Sequence, residues 1–232
     1  MIKALIFDVF GTLVDWRSSL IAFFEAFGRE RGQSADWPDL VDEWRAAYIP
    51  SMERVRRGEL PWTNLDALHR ASFDTLAARF GLESLNESER ERCARAWHAL
   101  EPWGDVREGL GRLRNVFVLA TLSNGNVALL IDLARHAELP FDMIFSAELF
   151  HHYKPDAVVY RGAVELLGLA PAEVMLVAAH NGDLRAAAAC GLRTAFVARP
   201  AEYGPHQTQD LIAADGFDIV ARDLKELADE LC

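Results

Sequence analysis

Short apolar runs that alternate with helical segments are the feature of this sequence that most restricts its fold. Each run is five to seven residues long and rich in Val, Ile, Leu and Phe, as in strands that are buried on both faces of a sheet. Strand alternating with helix predicts an α/β fold with a doubly wound parallel sheet. The predicted strands are residues 4–10, 116–122, 174–179 and 194–198, with 217–221 as a further candidate, and the predicted helices lie near residues 105–114, 126–137, 156–167 and 183–190.

Residues 17–100 interrupt this alternation. Their apolar residues recur at helical spacing, and no strand-like run lies among them. The sequence therefore predicts a helical cap, residues 16–100, inserted after the first strand of a core formed by residues 1–15 and 101–232. Parallel sheets bind ligands beyond the carboxyl ends of their strands. Because the insertion begins at that edge, it would cover such a site and exclude water from it.

The composition limits the classes of partner. With 51% hydrophobic and 25% charged residues, the 232-residue chain has the balance of a globular protein. Its formal net charge of −11 opposes binding to nucleic acid or to anionic membranes, although a local basic pocket could still hold a small anion. Residues 1–10 do not resemble a signal peptide, and no uncharged apolar run reaches about 18 residues. We therefore expect a cytoplasmic protein that binds neither nucleic acid nor a membrane.

Four groups of polar residues follow the predicted strands or open the predicted helices. They supply a carboxylate that can act as a nucleophile, a cation that can keep it ionised, donors for a developing negative charge and a second carboxylate that can position water. Each group alone has a structural explanation, as a turn, a helix cap or a solvated charge. Their convergence at corresponding ends of one sheet favours covalent catalysis by a carboxylate. The groups are residues 8–12, residues 123–126, Lys154 and residues 180–183.

The four groups, in this order along nearly the whole chain, resemble the haloacid dehalogenase superfamily, whose Rossmann-like core uses an Asp of the first motif as its nucleophile. The segments FDVFGTLVDWRSSL (7–20), LSNGN (122–126) and HHYKPD (151–156) are most similar to the type II 2-haloacid dehalogenases. The resemblance implies hydrolysis of short 2-haloacids, fluoroacetate among the candidates, to 2-hydroxy acids through an aspartyl ester. It implies the 2-haloacid and water as the small-molecule partners, and a possible homodimer.

Phe10 stands two residues after Asp8, where phosphatases of the superfamily usually carry a second Asp. That second acid delivers a proton to an alcohol leaving group, whereas a halide departs as a stable anion. Ala179 stands where an acid of the phosphatase pattern would help to hold Mg²⁺. The resemblance therefore implies no metal ion and no cofactor, although a Phe beside the nucleophile is also compatible with ordinary packing.

The resemblance assigns roles to residues at the strand ends. Asp8 would attack the C2 carbon of the substrate and displace the halide with inversion. Lys154 would pair with Asp8 and favour its ionised form, because an opposite charge in contact lowers the pKa of a carboxyl group. Ser123 and the backbone amides of Val9 and Phe10 would hold the substrate carboxylate.

The same resemblance makes Thr12 the brace of the nucleophile loop and Asp183 the group that orients or activates the hydrolytic water. The residues before Asp183 depart from the family pattern, since residues 178–181 read Ala-Ala-His-Asn where family members carry Ser and Asn. His180 or Asn181 is then a candidate to replace them. His180 is also a candidate contact to the leaving group, and a structural histidine is the alternative.

The predicted cap contributes one further candidate. The segment EWRAAY (43–48) resembles the family segment whose Arg faces the departing halide, and Arg45 would share the halide with Asn124. A surface arginine on a cap helix is the alternative. The segment ARPAEYGP (198–205) resembles a loop in a branch of these dehalogenases, and its Arg199 is either a structural tie or a second anion contact.

Rival functions stay open on the sequence alone. One is a Mg²⁺-dependent phosphatase of a small metabolite, and another is a non-catalytic scaffold that binds a small anion or a protein partner. A close variant of the dehalogenase hypothesis is hydrolysis of another activated small acid, such as a four-membered ring amino acid, through the same ester. Halide release from chloroacetate in the presence of EDTA separates dehalogenation from the phosphatase hypothesis.

Overall fold

A six-stranded parallel sheet forms the centre of the protein in a computed structural model that describes residues 1–232. The strand order is β3-β2-β1-β4-β5-β6, and every neighbouring pair is parallel. This arrangement confirms the predicted parallel α/β sheet. The strands are β1 (Ala4–Phe7), β2 (Val118–Ser123), β3 (Met143–Ser146), β4 (Val174–Ala178), β5 (Arg193–Val197) and β6 (Ile219–Ala221).

The register of the central strands brings three polar segments to one edge. Phe7 pairs with Thr121 of β2 on one side and with Val177 of β4 on the other. The three strands therefore end within two residues of the same level, at Phe7, Ser123 and Ala178, as expected for the carboxyl ends of parallel strands. β1 ends at Phe7 rather than at the predicted residue 10, because the chain turns out of the sheet at Asp8.

Residues 16–98 contain helices and no strand. Side chains cap several of these helices, since Asp15 accepts from the Ser18 amide and Asn64 accepts from the Ala67 amide. The helices are α1 (Trp16–Arg31), α2 (Trp37–Ala46), α3 (Tyr48–Arg56), α4 (Leu65–Ala77) and α5 (Glu87–Ala94), followed by a 3₁₀ turn at Arg95–His98. None of the helices of the protein combines the length and the apolar content that crossing a membrane requires.

Five more helices cover the two faces of the sheet. Alternate residues of β1 point to opposite faces, so that Leu5 and Phe7 belong to one apolar cluster and Ala4 and Ile6 to another. The first cluster includes residues of α6 (Val106–Leu113), α7 (Val127–His136) and α10 (Leu224–Leu231), and the second includes residues of α8 (Ala157–Leu167) and α9 (Asn181–Ala189). The sheet is therefore doubly wound, as predicted.

The first apolar cluster continues from the sheet into the helical segment. Phe7 and Leu110 on the sheet side share this cluster with Phe24, Trp44 and Phe73 of the helices between β1 and β2. Part of the helical segment therefore packs directly against the sheet side of this cluster. The division of the chain at residues 15/16 and 100/101 into core and cap stays a prediction.

Candidate active site

The loop after β1 presents the Asp8 carboxylate at the edge of the sheet. Gly11 turns this loop with a φ of +83°, a left-handed conformation that glycine adopts without strain. The Thr12 hydroxyl donates to Asp8 Oδ2 at 2.7 Å and accepts from the Ala179 amide at 2.9 Å. Thr12 therefore ties the nucleophile loop to the end of β4 and fixes one oxygen of Asp8.

Lys154 lies between two carboxylates. Its Nζ donates to Asp8 Oδ1 at 2.9 Å and to Asp183 Oδ2 at 2.5 Å, and the Tyr160 hydroxyl donates to Asp183 Oδ1 at 2.5 Å. The Lys154 amide donates to Asn124 Oδ1 at 2.8 Å, which holds the lysine loop against the end of β2. Burial disfavours the ammonium, but Asp183 and Asp8 outweigh it and raise the pKa of Lys154, so the side chain stays charged.

His180 bridges the nucleophile and a buried glutamate. Its Nδ1 lies 3.1 Å from Asp8 Oδ2, and its Nε2 lies 2.9 Å from Glu202 Oε2. Burial favours the neutral imidazole, yet Glu202 and Asp8 outweigh burial and raise the pKa of His180 well above its ordinary value. Burial also opposes ionisation of Asp8, but Lys154 and His180 hold the pKa of that carboxyl well below its usual range. At neutral pH Asp8 is an anion between two cations.

Arg45, on α2, faces the same space from the helical segment. Its guanidinium lies 4.2 Å from the ring centroid of Tyr48 and 5.2 Å from that of Trp16, and its Nη2 lies 3.8 Å from Glu202 Oε1. Its Nη1 is buried and has no hydrogen-bond partner. A buried charged donor without a hydrogen-bond partner is costly. Arg45 Nη1 is therefore available to donate a hydrogen bond to an anion in the cavity.

A cavity of about 330 Å³ joins these groups between the sheet and the helices. Seven of the side chains predicted from the sequence line it, together with Tyr48, Tyr160 and Tyr203. The seven are Asp8, Phe10, Arg45, Asn124, Lys154, His180 and Asp183. An anionic nucleophile, three cations and one amide therefore converge on a chamber whose other walls include aromatic rings.

The other predicted site residues lie beside the cavity rather than in its wall. Thr12 and Ser123 are fully buried, and Ser123 Oγ accepts from the Gly125 amide at 3.2 Å. Val9 is buried, and neither its amide nor that of Phe10 donates to any group of the protein. These two amides are thus available to a ligand, whereas the role of each residue stays a prediction.

Asn181 is turned away from the cavity. Its amide nitrogen donates to Asp210 Oδ1 at 2.8 Å and to the Ile212 carbonyl at 3.0 Å, and its Oδ1 accepts from the Ala214 amide at 2.7 Å. All polar atoms of the side chain are therefore used to hold residues 210–214. The structure gives Asn181 a place in that loop and not beside Asp8.

Residues 2–191 match the family of haloacid dehalogenase-like hydrolases. The chain belongs to this family. It is 31% identical over 215 residues to (S)-2-haloacid dehalogenase 1 of Pseudomonas sp. (strain CBS-3), which covers 87% of this chain and 88% of that protein. Among solved structures, an L-2-haloacid dehalogenase superposes with a TM-score of 0.96 at 54% identity over 100% of both chains. A defluorinating L-2-haloacid dehalogenase superposes with a TM-score of 0.97 at 42% identity, over 99% of this chain and 95% of that chain.

The oxygens of Asp8 in this haloacid dehalogenase-like hydrolase are already bound by the protein. Lys154 occupies Oδ1, while Thr12 and His180 occupy Oδ2. No group of three or more His, Cys, Asp or Glu side chains is arranged to hold a metal ion. Two of the three side chains that contact the Asp8 carboxylate, Lys154 and His180, are therefore cationic.

The structure also decides the alternatives for Arg199. Its two terminal nitrogens donate to the two oxygens of Asp105, each at 2.8 Å, and its Nε donates to the Thr12 carbonyl at 2.9 Å. Arg199 is therefore a structural tie between the 198–205 segment, the start of α6 and the nucleophile loop. It contacts the back of the loop that carries Asp8.

Two residues of the site, Glu202 and Tyr160, were not predicted from the sequence. Glu202 lies in a segment whose resemblance was recognised but which carried no chemical motif, and only the fold brings it to His180. Tyr160 lies on α8 six positions after Lys154, on a face that helical spacing alone assigns to the apolar core. Neither residue has a sequence signal that separates it from ordinary packing.

Proposed function

We propose that this protein hydrolyses the carbon–halogen bond of short 2-haloacids and releases 2-hydroxy acids through an ester on Asp8. The observation that carries the proposal is the state of Asp8, which is an anion held between Lys154 and His180 with Phe10 in place of a second acid. The three relatives described above are named as one (S)-2-haloacid dehalogenase and two L-2-haloacid dehalogenases, and these names support the same activity.

The first step needs a nucleophile, an exit for the halide and no proton. An oxygen of Asp8 forms a bond to C2 of the substrate from the side opposite the halogen, and the carbon–halogen bond breaks with its electron pair on the halide. Arg45 Nη1 is the buried donor without a partner, and it would receive that anion. Asn124 uses its Oδ1 for the Lys154 amide, so its amide nitrogen is the end that faces a ligand.

The substrate carboxylate needs donors on the nucleophile side of the cavity. The amides of Val9 and Phe10 have no partner in the protein, and they follow Asp8 directly. A carboxylate bound there would place C2 next to the Asp8 oxygens, and effective positioning of this kind lowers the barrier of a displacement. Ser123, predicted as a third donor, lies one layer deeper and would act through the loop at Gly125.

A reaction without a metal ion is part of the proposal. Phosphoryl transfer in this superfamily needs positive charge against the phosphate and a proton for the leaving alcohol. In this chain the position after Val9 is Phe10, which is 2% exposed, and the positive charge beside Asp8 comes from side chains. We therefore expect full activity in EDTA.

Ion chromatography of a panel of chloro-, bromo- and fluoroacetate and the 2-halopropionates tests the proposal. We expect halide release in EDTA by the wild-type protein and a loss of at least about 10³-fold in Asp8→Asn, because the amide cannot attack. Asp215→Asn, at an exposed aspartate, is the matched control and should keep wild-type activity. Phosphate release that requires Mg²⁺, without halide release, would replace the proposal by the phosphatase hypothesis.

A homodimer and a cytoplasmic location also stay predictions. The resemblance to the type II dehalogenases supports the dimer, and light scattering of the purified protein measures it directly. A monomeric mass at micromolar concentration contradicts the dimer and leaves the chemistry of the cavity unchanged.

A further inference from the structure

The row of side chains formed by Asp8, His180 and Glu202 carries an inference about the second half of the reaction, and it rests on the proposed ester. His180 ends the loop after β4, at the N-cap of α9, and its ring lies between the two carboxylates at 3.1 Å and 2.9 Å. Thr12 holds the Asp8 oxygen that His180 contacts. The imidazole therefore stands against the carboxyl group whose carbon must be attacked when an ester is hydrolysed.

Glu202 is buried, and its carboxylate contacts few side chains besides His180. Its side chain is 1% exposed and accepts from Trp16 Nε1 at 3.1 Å, in addition to its contacts with His180 and Arg45. Gly11 leaves the room for it, since a Cβ atom at residue 11 would overlap the Glu202 carboxylate. A buried carboxylate is destabilising unless it is paired, so the partners of Glu202 indicate its role. Those partners are the histidine beside Asp8 and the arginine that faces the leaving group.

We propose that His180 is the general base of ester hydrolysis, that Glu202 is its positioning residue, and that formation of the ester on Asp8 releases the base. In the resting protein, His180 is an imidazolium that donates to both carboxylates, and it cannot accept a proton. The ester removes the negative charge and the acceptor at Asp8. His180 then loses its Nδ1 proton to solvent and keeps Nε2–H on Glu202, which fixes the tautomer that can act as a base.

Hydrolysis of the ester uses one water molecule, with Nδ1 of His180 as the proton acceptor. Nδ1 takes one proton of a water molecule while the water oxygen bonds to Cγ of Asp8. The tetrahedral intermediate expels the alkoxide of the hydroxy acid, which takes the proton from Nδ1. The new Asp8 carboxylic acid carries the water oxygen and passes its proton to His180, which restores the ion pair. One proton per turnover has gone to solvent, as the overall reaction of a haloacid and water requires.

Asp183 is poorly arranged for the same task. Both of its oxygens accept short hydrogen bonds, from Lys154 Nζ and from the Tyr160 hydroxyl. Both oxygens therefore already accept a hydrogen bond from the protein, whereas a general base needs an oxygen that a water molecule can reach. The geometry gives Asp183 the position of an anchor for Lys154, and through Lys154 it acts on Asp8 in the first step.

Pre-steady-state kinetics with chloro- or bromoacetate in excess over the enzyme separate the two steps. For His180→Asn and Glu202→Gln we expect a halide burst of about one equivalent, then slow turnover, with the ester accumulating as a mass increase of the intact protein. The loss in kcat should be about 10²-fold or more for His180→Asn, the usual contribution of a general base. Exogenous imidazole should speed ester hydrolysis in His180→Ala. His136→Asn and Glu230→Gln, at exposed positions, are the matched controls.

A pH profile distinguishes a positioning role for Glu202 from a purely structural one. In wild type the rate of ester hydrolysis should rise with pH between about 5 and 9 as His180 loses its proton. In Glu202→Gln the rising limb should move to lower pH, because the carboxylate that favours the imidazolium is gone, and Glu202→Asp should recover part of the rate. This wild-type profile does not depend on the folding of any variant.

The outcomes are distinct for the two proposals. If wild type releases no halide from any haloacid, the proposed function fails. Suppose that wild type releases halide but His180→Asn turns over at the wild-type rate without accumulating ester. The general base is then not His180, and the proposed dehalogenase activity still holds. A wild-type hydrolysis rate that is independent of pH also overturns the role of His180, and accumulation of ester in Asp183→Asn alone would assign the base to Asp183.

Discussion

Phe10 lies two residues after Asp8 and is buried between the nucleophile loop and the helical segment. Its ring packs edge-on against Tyr48 and Trp97, with centroid distances of 6.4 Å and 5.8 Å, and it forms part of the cavity wall. The structure therefore shows the packing role of Phe10, which joins the nucleophile loop to the helical segment, and its chemical role stays a prediction.

Phe10→Asp tests this double role. A carboxylate at this 2% exposed position would lie close to Asp8 among aromatic rings, so we expect halide release to fall below detection and the free energy of unfolding to drop by about 3 kcal/mol or more. Phe10→Leu, which keeps the apolar character, should cost less than about half of that. Halide assays and urea denaturation measure the two effects. A Phe10→Asp variant as active as wild type would show that the reaction does not require an apolar residue at this position.

The pair of His180 and Glu202 also predicts how stability depends on pH. Burial lowers the pKa of His180, but Glu202 and Asp8 raise it well above its usual value in the folded protein. The folded state therefore binds the proton more tightly than the unfolded state, whose pKa is about 6.5. This contribution is fully present below about pH 6.5 and is lost as the pH rises through the folded-state pKa.

The measurement is urea denaturation of wild type and His180→Asn across the alkaline range. Wild type should lose free energy of unfolding above about pH 6.5, and the variant should show a smaller loss over the same interval. Parallel curves for the two proteins would show that His180 does not hold an extra proton in the folded state.

Five of the six strands were predictable because apolar runs mark them, and β6 lies within the candidate run 217–221 although it is a short edge strand. β1, β2, β4 and β5 lie within predicted apolar runs or within two residues of them, since burial on both faces demands such runs. β3 is four residues long, begins with the exposed Met143 and was missed, because an edge strand needs no continuous apolar sequence. The helix α10 was missed for a related reason, since its eight residues bury only one face.

The site was predictable to the extent that it lies at the ends of predicted strands. Asp8 and Asn124 follow β1 and β2 directly, so strand position and motif agreed. Glu202 lies in an irregular segment after β5, and nothing in its local sequence announces that the fold will place its carboxylate beside His180. Contacts between distant irregular segments depend on the packing of the whole chain, which periodicity does not encode.

The segment from residue 198 to 205 acts as an element through Arg199. Arg199 and Asp105 form a buried bidentate pair that also reaches the Thr12 carbonyl. Arg199→Lys should lower the free energy of unfolding by about 2–4 kcal/mol, because an ammonium cannot reproduce the planar fork and the pair is desolvated. Arg222→Lys, in an exposed pair with Glu226, should leave the free energy of unfolding unchanged within the precision of the measurement. Equal values in urea denaturation would contradict the structural role.

At the scale of the whole molecule, the helices between β1 and β2 and the sheet share one apolar core. Trp97, at the end of the helical segment, contacts Phe10 of the nucleophile loop, Trp16 and Trp44. His98 adds a polar link, since its two ring nitrogens lie 3.0 Å from Asp66 of α4 and 2.8 Å from Asp132 of α7. Opening the cavity therefore requires the loss of both the aromatic contacts of Trp97 and the polar contacts of His98.

This shared core predicts cooperative unfolding. Five of the six tryptophans lie in the helical segment and the sixth is Trp103, so tryptophan fluorescence reports mainly the helical segment, whereas far-ultraviolet circular dichroism reports helices of the whole chain. We expect the two signals to change with the same midpoint in urea, because neither part keeps a closed core without the other. Separate midpoints would show that the helical segment unfolds as an independent domain.

The central claim is that an oxygen of Asp8 bonds to the carbon of the substrate and that water then attacks the carboxyl carbon of Asp8. Repeated turnover of a haloacid in ¹⁸O-enriched water with EDTA, followed by mass spectrometry of the peptide that contains Asp8, tests it most directly. We expect this peptide, and no other, to gain ¹⁸O while halide is released. Halide release with no label on Asp8 would mean that water attacks the substrate itself, and the covalent mechanism would be wrong.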